Sequence, residues 1–259
     1  MSMHVTFLGT GTSQGVPMIG CKCPVCTSND PRDKRLRCSI LVRTEDMTLL
    51  FDTPPDLRMQ MLREKIDHVD HVIFTHAHTD HIMGFDDLRR FCDISGKNVP
   101  IHASGEVLDH LKRIFPYVFD PAIQVRGYLQ VEPHTIEGPF TLRSLTIVPL
   151  IVPHGTVLTM GFLLMEKNTH KLVYMPDCAS VPEEVIEQMR GVEVLIIDGL
   201  RDKPHPTHLT VAQAIDVSRR VQARCTYLTH QADDKCHAKR SRELPEGVFL
   251  AYDGLKIEI

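Results

Sequence analysis

Between positions 76 and 81 the chain reads His76-Ala77-His78-Thr79-Asp80-His81, setting three imidazoles and one carboxylate within six residues. Neutral imidazole nitrogens and carboxylate oxygens are ligands for Zn, Mn or Fe. Alternate side chains of an extended segment point the same way, so His76 and His78 can chelate one ion, and Asp80 and His81, past a turn, can serve a second. Without a cation, four such groups at the exit of an apolar segment would cost stability through repulsion and desolvation. A lone His carries no such implication, and His4, His68, His102, His110, His134 and His170 read as ordinary polar side chains among the 15 histidines.

A second group is made of sulfur. Cys21, Cys23 and Cys26 crowd together behind the glycine-rich run Gly9-Thr10-Gly11-Thr12-Ser13-Gln14-Gly15-Val16-Pro17. Three thiolates can take three corners of a tetrahedral zinc and so cross-link a long loop that has little core of its own. The plainer alternative, three free thiols, exposes reactive sulfur to no purpose. The other Cys of the eight stand singly, which fits reduced thiols better than a disulfide framework.

The elements that must position these groups follow from periodicity. Apolar runs at Val5–Leu8, Cys38–Arg43, Thr48–Asp52 and His71–Thr75 read as strands, the middle two joined by the hairpin-length Thr44-Glu45-Asp46-Met47. Pro54-Pro55 opens a helix over Asp56–Glu64, and the spacing of Ile82, Phe85, Leu88 and Phe91 predicts a helix after the His loop. Further strands are expected at 99–103, within 140–152, and at 161–165, 171–175, 194–197, 225–229, 248–251 and 255–258, with helices at 105–115 and 211–221. Strand pairs followed by strands and helices suggest an α/β chain of two β-layers packed face to face with helices outside, in one domain over residues 1–259.

Composition narrows the class. The 259 residues are 42% hydrophobic, enough for a full core. A net charge of -4 and no run of basic residues longer than a pair leave no electrostatic footprint for nucleic acid or an anionic membrane. With neither a leader-like N-terminus nor a segment of ~20 apolar residues, the expected location is cytoplasmic.

The motif His76-x-His78-x-Asp80-His81 resembles the HxHxDH signature of the metallo-β-lactamase superfamily. The resemblance implies a four-layer αββα sandwich with metals at one edge, and further ligands at later strand ends: His154 after Ile151-Val152-Pro153, Asp177 after Val173–Pro176, His230 after Tyr227-Leu228-Thr229. It assigns His76, His78 and His154 to one metal and Asp80, His81 and His230 to the other, with Asp177 between them. Asp52, ending an early strand, would orient ligands or water, or simply cap its strand. The glycine-rich run with CxCxxC is similar to PhnP-type phosphodiesterases, as are Pro204-His205-Pro206-Thr207-His208-Leu209 and Leu250-Ala251-Tyr252-Asp253-Gly254. That branch implies a structural zinc whose fourth ligand falls at Asp233, where the family has His; His237 or Cys236 are the alternatives. It also implies that His208 binds phosphate or protonates the leaving oxygen, with His205 as a secondary substrate contact or a surface loop residue.

The expected activity is hydrolysis of a small cyclic or nucleotide-like phosphodiester by water activated between two divalent ions, Zn, Mn or Fe. Asp80, His208 and Asp52 are the residues expected to act in catalysis, a small diester is the expected partner, and self-association into a homodimer is open. One rival is a tRNA 3′-end endonuclease of the tRNase Z type, which usually carries a long arm for tRNA and lacks CxCxxC. Another is a non-hydrolytic carrier like PqqB, similar in its cysteine cluster and in Thr53–Arg58 but degenerate in the metal signature.

Overall fold

The computed structural model describes residues 2–122 and 127–259. Its strands are β1 (His4–Gly9), β2 (Ser39–Arg43), β3 (Thr48–Phe51), β4 (His71–Ile73), β5 (Val99–Ala103), β6 (Val131–Thr135), β7 (Phe140–Leu142), β8 (Leu145–His154), β9 (Val157–Glu166), β10 (Thr169–Met175), β11 (Val194–Asp198), β12 (Cys225–Thr229), β13 (Val248–Leu250) and β14 (Lys256–Glu258). They form two seven-stranded sheets, β14-β1-β2-β3-β4-β5-β6 and β13-β12-β11-β10-β9-β8-β7. The helices are α1 (Leu57–Glu64), α2 (Thr79–Ile82), α3 (Arg89–Ser95), α4 (Gly105–Ile114), α5 (Pro116–Phe119), α6 (Glu183–Met189), α7 (Val211–Val221) and α8 (His237–Glu243).

Alternation along the strands builds the layers. Ile40, Val42, Leu49 and Phe51 of the first sheet meet Phe162, Leu164, Leu172, Tyr174 and Ile196 of the second in a shared inner core. The interleaved Leu41 and Leu50 face α1 and α4, whereas Leu163, Val173, Leu195 and Ile197 face α6 and α7. The result is the expected αββα sandwich. At its centre the Phe51 ring lies 5.8 Å from Phe162 and 5.5 Å from Tyr174, centroid to centroid.

Strand direction decides where side chains can converge. β3 through β6 are mutually parallel, as are β10 through β13, so their carboxyl ends emerge along one rim. Two successive antiparallel pairings, β8 with β9 and β9 with β10, bring the end of β8 to that rim as well.

The structure corrects several expectations. The helix anticipated from Ile82 to Phe91 is broken into α2, a 3-10 turn at Phe85–Leu88, and α3. The break falls at Gly84, where a Cβ would sit 2.1 Å from the Pro54 carbonyl oxygen. Two backbone bonds seal this approach: Thr53 N–H donates to His81 O (2.7 Å) and Gly84 N–H to Thr53 O (2.8 Å). β6, α6 and α8 were not anticipated. β6 contains Pro133 and is mostly exposed, and α8 has no apolar stripe, being anchored by the buried Arg240 on Asp202 and Asp234. No helix among the described residues is long and apolar enough to cross a membrane.

Candidate metal centre

Asp52, His76, His154, Asp177, Asp198 and His230 all stand at or just past the ends of strands meeting at the common rim. His78 precedes α2 as its N-cap residue, and Asp80 and His81 lie within that short helix. Two of these positions have left-handed backbones, Asp52 at φ 62° and His230 at φ 57°, which turn each chain sharply at its strand end.

Four histidines have one ring nitrogen fixed outward. His81 Nδ1 donates to Asp52 Oδ2 at 2.8 Å, His154 Nδ1 to the Thr207 carbonyl at 2.7 Å, and His208 Nδ1 to Asp198 Oδ2 at 2.7 Å. His76 Nδ1 lies 2.9 Å from Thr75 Oγ1, whose hydroxyl donates to Asp52 at 2.9 Å. These partners assign the proton to Nδ1 and turn each Nε2 toward the rim. Asp52 therefore does more than cap β3: it also accepts the Thr75 N–H at 2.8 Å and fixes the His81 ring.

The inward atoms gather as the motif implied. Ligand atoms of His76, His78 and His154 lie within 4.8 Å of one another, and so do those of Asp80, His81 and His230. Asp177 sits between the two groups, 3.2 Å from His81 Nε2, 3.5 Å from His230 Nε2 and 3.8 Å from His154 Nε2. His154, Asp177 and His208 also come within the same 4.8 Å. His208 stacks on His230 at 4.5 Å and abuts His154 at 4.7 Å, with His205 at 5.1 Å on its other side.

The donor set fits divalent cations. His76 Nε2, His81 Nε2, Asp177 Oδ1 and both His230 nitrogens are buried without a hydrogen-bond partner, and each such orphan costs about 1–3 kcal/mol. Burial drives the His76 imidazole well below its ordinary value, aided by the charge of His81, and lowers His154 to about 4. Burial also presses on His81, but Asp177, Asp80 and Asp52 outweigh it and raise that ring well above its ordinary value. His230 is likewise lifted to about 9, against burial, by Asp177 and Asp80. For Asp177 the burial penalty is overcome by His230 and His81, which hold the carboxyl well below the usual range. Carboxylates this enclosed must draw positive charge from somewhere, and protons on His81 and His230 do so only by spoiling two good ligands.

Sequence reasoning missed Asp198. It is fully buried at the end of β11, accepts from His208, and also accepts the Cys178 N–H at 3.2 Å. The signal was present, an acid closing the apolar run Val194-Leu195-Ile196-Ile197, the same pattern that pointed to Asp52. His110, read as an ordinary polar residue, lines a cleft of about 400 Å³ beside His76 and His78, together with Glu106, Val107, Ile151, Leu158 and Met160.

The cysteine cluster closes around one carboxylate oxygen. Asp233 Oδ2 lies 3.3 Å from Cys21 Sγ, 3.2 Å from Cys23 Sγ and 3.5 Å from Cys26 Sγ. Backbone N–H groups of Cys23, Cys26 and Met18 point at the three sulfurs, a donor pattern that suits thiolates. Burial pushes the Cys26 thiol up to about 12, so without a cation it stays protonated. The alternative fourth ligand His237 faces elsewhere, its Nδ1 3.2 Å from Arg35 Nη2 and its N–H bonded to Asp33.

A model of the β-lactamase superfamily domain matches residues 47–231. A crystal structure described as a new diphosphatase from the PhnP family superposes with a TM-score of 0.92 and 40% identity, over 100% of this chain and 98% of that one. An octanoyltransferase from Porphyromonas gingivalis is 35% identical over 98% of this chain, which spans about half, 51%, of that protein's length. Zn2+-bound PqqB from Methylobacterium extorquens has a TM-score of 0.80 at 20% identity, covering 99% of this chain and 100% of that one. The chain belongs to the metallo-β-lactamase superfamily and, within it, to the PhnP-type hydrolases. Members of that superfamily typically bind divalent metal, in keeping with the His and Asp clusters at the rim.

Proposed function

We propose that this chain is a cytoplasmic, metal-dependent phosphodiesterase that hydrolyses a small cyclic or nucleotide-like diester. The observation that carries the reading is the ring of buried, partnerless nitrogens and oxygens facing one point beside a nucleotide-sized cleft. Two divalent ions, held by His76, His78 and His154 and by Asp80, His81 and His230 with Asp177 between, would supply charge for the anionic phosphate and acidify the attacking water.

The remaining work falls to the chain itself. His208 directs Nε2 into the site and, as an imidazolium, donates the Nε2 proton to the departing oxygen, while Asp198 accepts the Nδ1 proton and fixes the ring. His205 lines the same side at lower burial and contacts the substrate. Val107, Ile151, Leu158 and Met160 offer an apolar wall for a base or other organic group, and Glu106 and His110 offer polar contacts. A structural zinc on Cys21, Cys23, Cys26 and Asp233 would tie the glycine-rich loop to the segment after His230.

A second reading is hydrolysis of a diphosphate linkage, favoured by the 40% identical diphosphatase of the PhnP family. A tRNA-processing role is less supported, because the net charge of -4 offers little to a polyanion. The PqqB likeness is to a protein of coenzyme PQQ synthesis, and the full set of His and Asp donors at the rim favours a hydrolase over a carrier.

The deciding experiment assays metal-loaded protein on bis(p-nitrophenyl) phosphate, a panel of cyclic nucleotides, a dinucleoside diphosphate, a lactone and a thioester. Turnover of the diesters is expected. Turnover of the lactone or thioester alone overturns the proposal, and turnover of the diphosphate alone selects the second reading.

A further inference from the structure

A larger cavity, about 610 Å³, lies beside β6 and β7, the edge strands of the two sheets, and shares Ile136 with the cleft at the rim. His71, His102 and His134 line it. His102 is paired with Ile73 on β4 and with His134 on β6, and His71 lies two residues before Ile73, so the three side chains share the inner face of the sheet. Elsewhere that face is apolar, carrying Ile40, Phe51 and Ile73. Three imidazoles in such a place call for an explanation beyond packing.

Their geometry supplies one. His71 Nδ1 and His102 Nε2 are 3.0 Å apart, sharing one proton. That spacing also suits two nitrogens 2.0–2.1 Å from one ion, which stand about 2.9–3.4 Å apart at angles between right and tetrahedral. His134 stacks on His102 at 4.8 Å and 14°, and its Nε2 is 3.3 Å from Glu132 Oε1, so a third imidazole and a carboxylate adjoin the pair. Phe140 lies near-parallel to the His102 ring at 5.3 Å and walls the cavity. The lining also carries Glu137 and, among the described residues, no Lys or Arg. The nearby Arg143 is paired with Asp70 at 3.7 Å. Burial, together with the neighbouring rings, lowers His102 to about 3, so at neutral pH the ring is uncharged and does not repel a cation.

We propose that His71 and His102, joined by the Glu132 carboxylate and by His134 once its ring turns out of the stack, bind a divalent transition-metal ion at this side opening, through ligands distinct from those at the rim. The ion takes the place of the shared proton, which moves to the other nitrogen of its ring. Neutral imidazoles and one carboxylate select Zn2+, Ni2+ or Cu2+ over Mg2+ or Ca2+.

Zn2+ serves as the probe, with metal content and calorimetric titration of the full chain as readouts. The wild type should bind one equivalent more than the double variant His71→Gln/His134→Gln, or bind that equivalent at least about tenfold more tightly. The extra equivalent should survive in His78→Ala, which touches only the rim, so failure here is distinguishable from failure of the proposed hydrolytic site. A second measurement needs no variant: Zn2+ should slow diethyl pyrocarbonate modification of His134 in the wild-type chain. Equal zinc binding in wild type and double variant, or a His134 reactivity indifferent to Zn2+, overturns the proposal.

Discussion

Replacing Asp198 by Asn keeps the size of a fully buried side chain but removes the charge that supports His208. The lost bond is charge-assisted, 2.7 Å long and shielded from water, so its removal should cost about 1.5–3 kcal/mol. If that support is needed when His208 gives up its proton, turnover falls by roughly 10- to 150-fold. The loss must depend on the leaving group. A cyclic nucleotide departs as a sugar alkoxide, which needs the proton, and should suffer the full loss. Bis(p-nitrophenyl) phosphate departs as a stable phenolate and should be nearly unaffected. The assay is kcat for both substrates at matched metal content, verified by elemental analysis, with His208→Gln alongside. Asp198→Asn added to His208→Gln should do little more, because both changes remove one function. Equal losses on the two substrates refute the assignment of His208 as proton donor and of Asp198 as its positioning residue.

Asp52→Ala should weaken metal binding at the rim by about 10- to 100-fold, since Asp52 fixes His81 and Thr75, and competition with a chromogenic chelator reads this directly. His78→Ala should abolish hydrolysis while thermal unfolding stays close to wild type, because His78 is exposed and packs into no core; full activity in that variant contradicts the metal role. Asp233→Ala should lose one zinc per chain and speed tryptic cleavage at Lys22; unchanged zinc content removes Asp233 as the fourth ligand. Burial raises Asp253 to about 6, against the bonds from Leu36 N–H and Thr10 and the charges of Arg63 and Arg35. Its neutral form therefore favours the fold, and stability from this group is lost as pH rises from the ordinary carboxylate value through 6. At 1.36 kcal/mol per pH decade the loss is about 3 kcal/mol, an upper bound, and Asp253→Asn should flatten denaturation midpoints between pH 4 and 6.5.

Much of this was legible in the sequence because ligands at strand ends leave a double signature, an apolar run followed at once by His or Asp. The resemblance to the superfamily motif implied His154 and His230, and each stands after such a run, Ile151-Val152-Pro153 and Tyr227-Leu228-Thr229. The two-layer architecture followed from strand pairs succeeded by strands and helices, and continuous apolar runs such as Ile40–Val42 and Leu49–Phe51 prove to be buried on both faces of their sheet. What stayed hidden depended on contacts distant in sequence. α8 has a polar sequence and is held by Arg240 on Asp202, and the break at Gly84 exists because the chain meets Pro54 there. His102 and His134 look ordinary until β5 and β6 bring them into register, a pairing that no local pattern encodes.

The backbone bonds joining Thr53 to His81 and Gly84 tie the end of β3 to the histidine loop through the main chain alone. Ties of this kind lower the ordering entropy that ligand binding costs. The same rigidity makes Gly84 a point of vulnerability: a single methyl group there would wedge two ligand-bearing segments apart, and damage remote from every donor atom would register first as weakened metal retention.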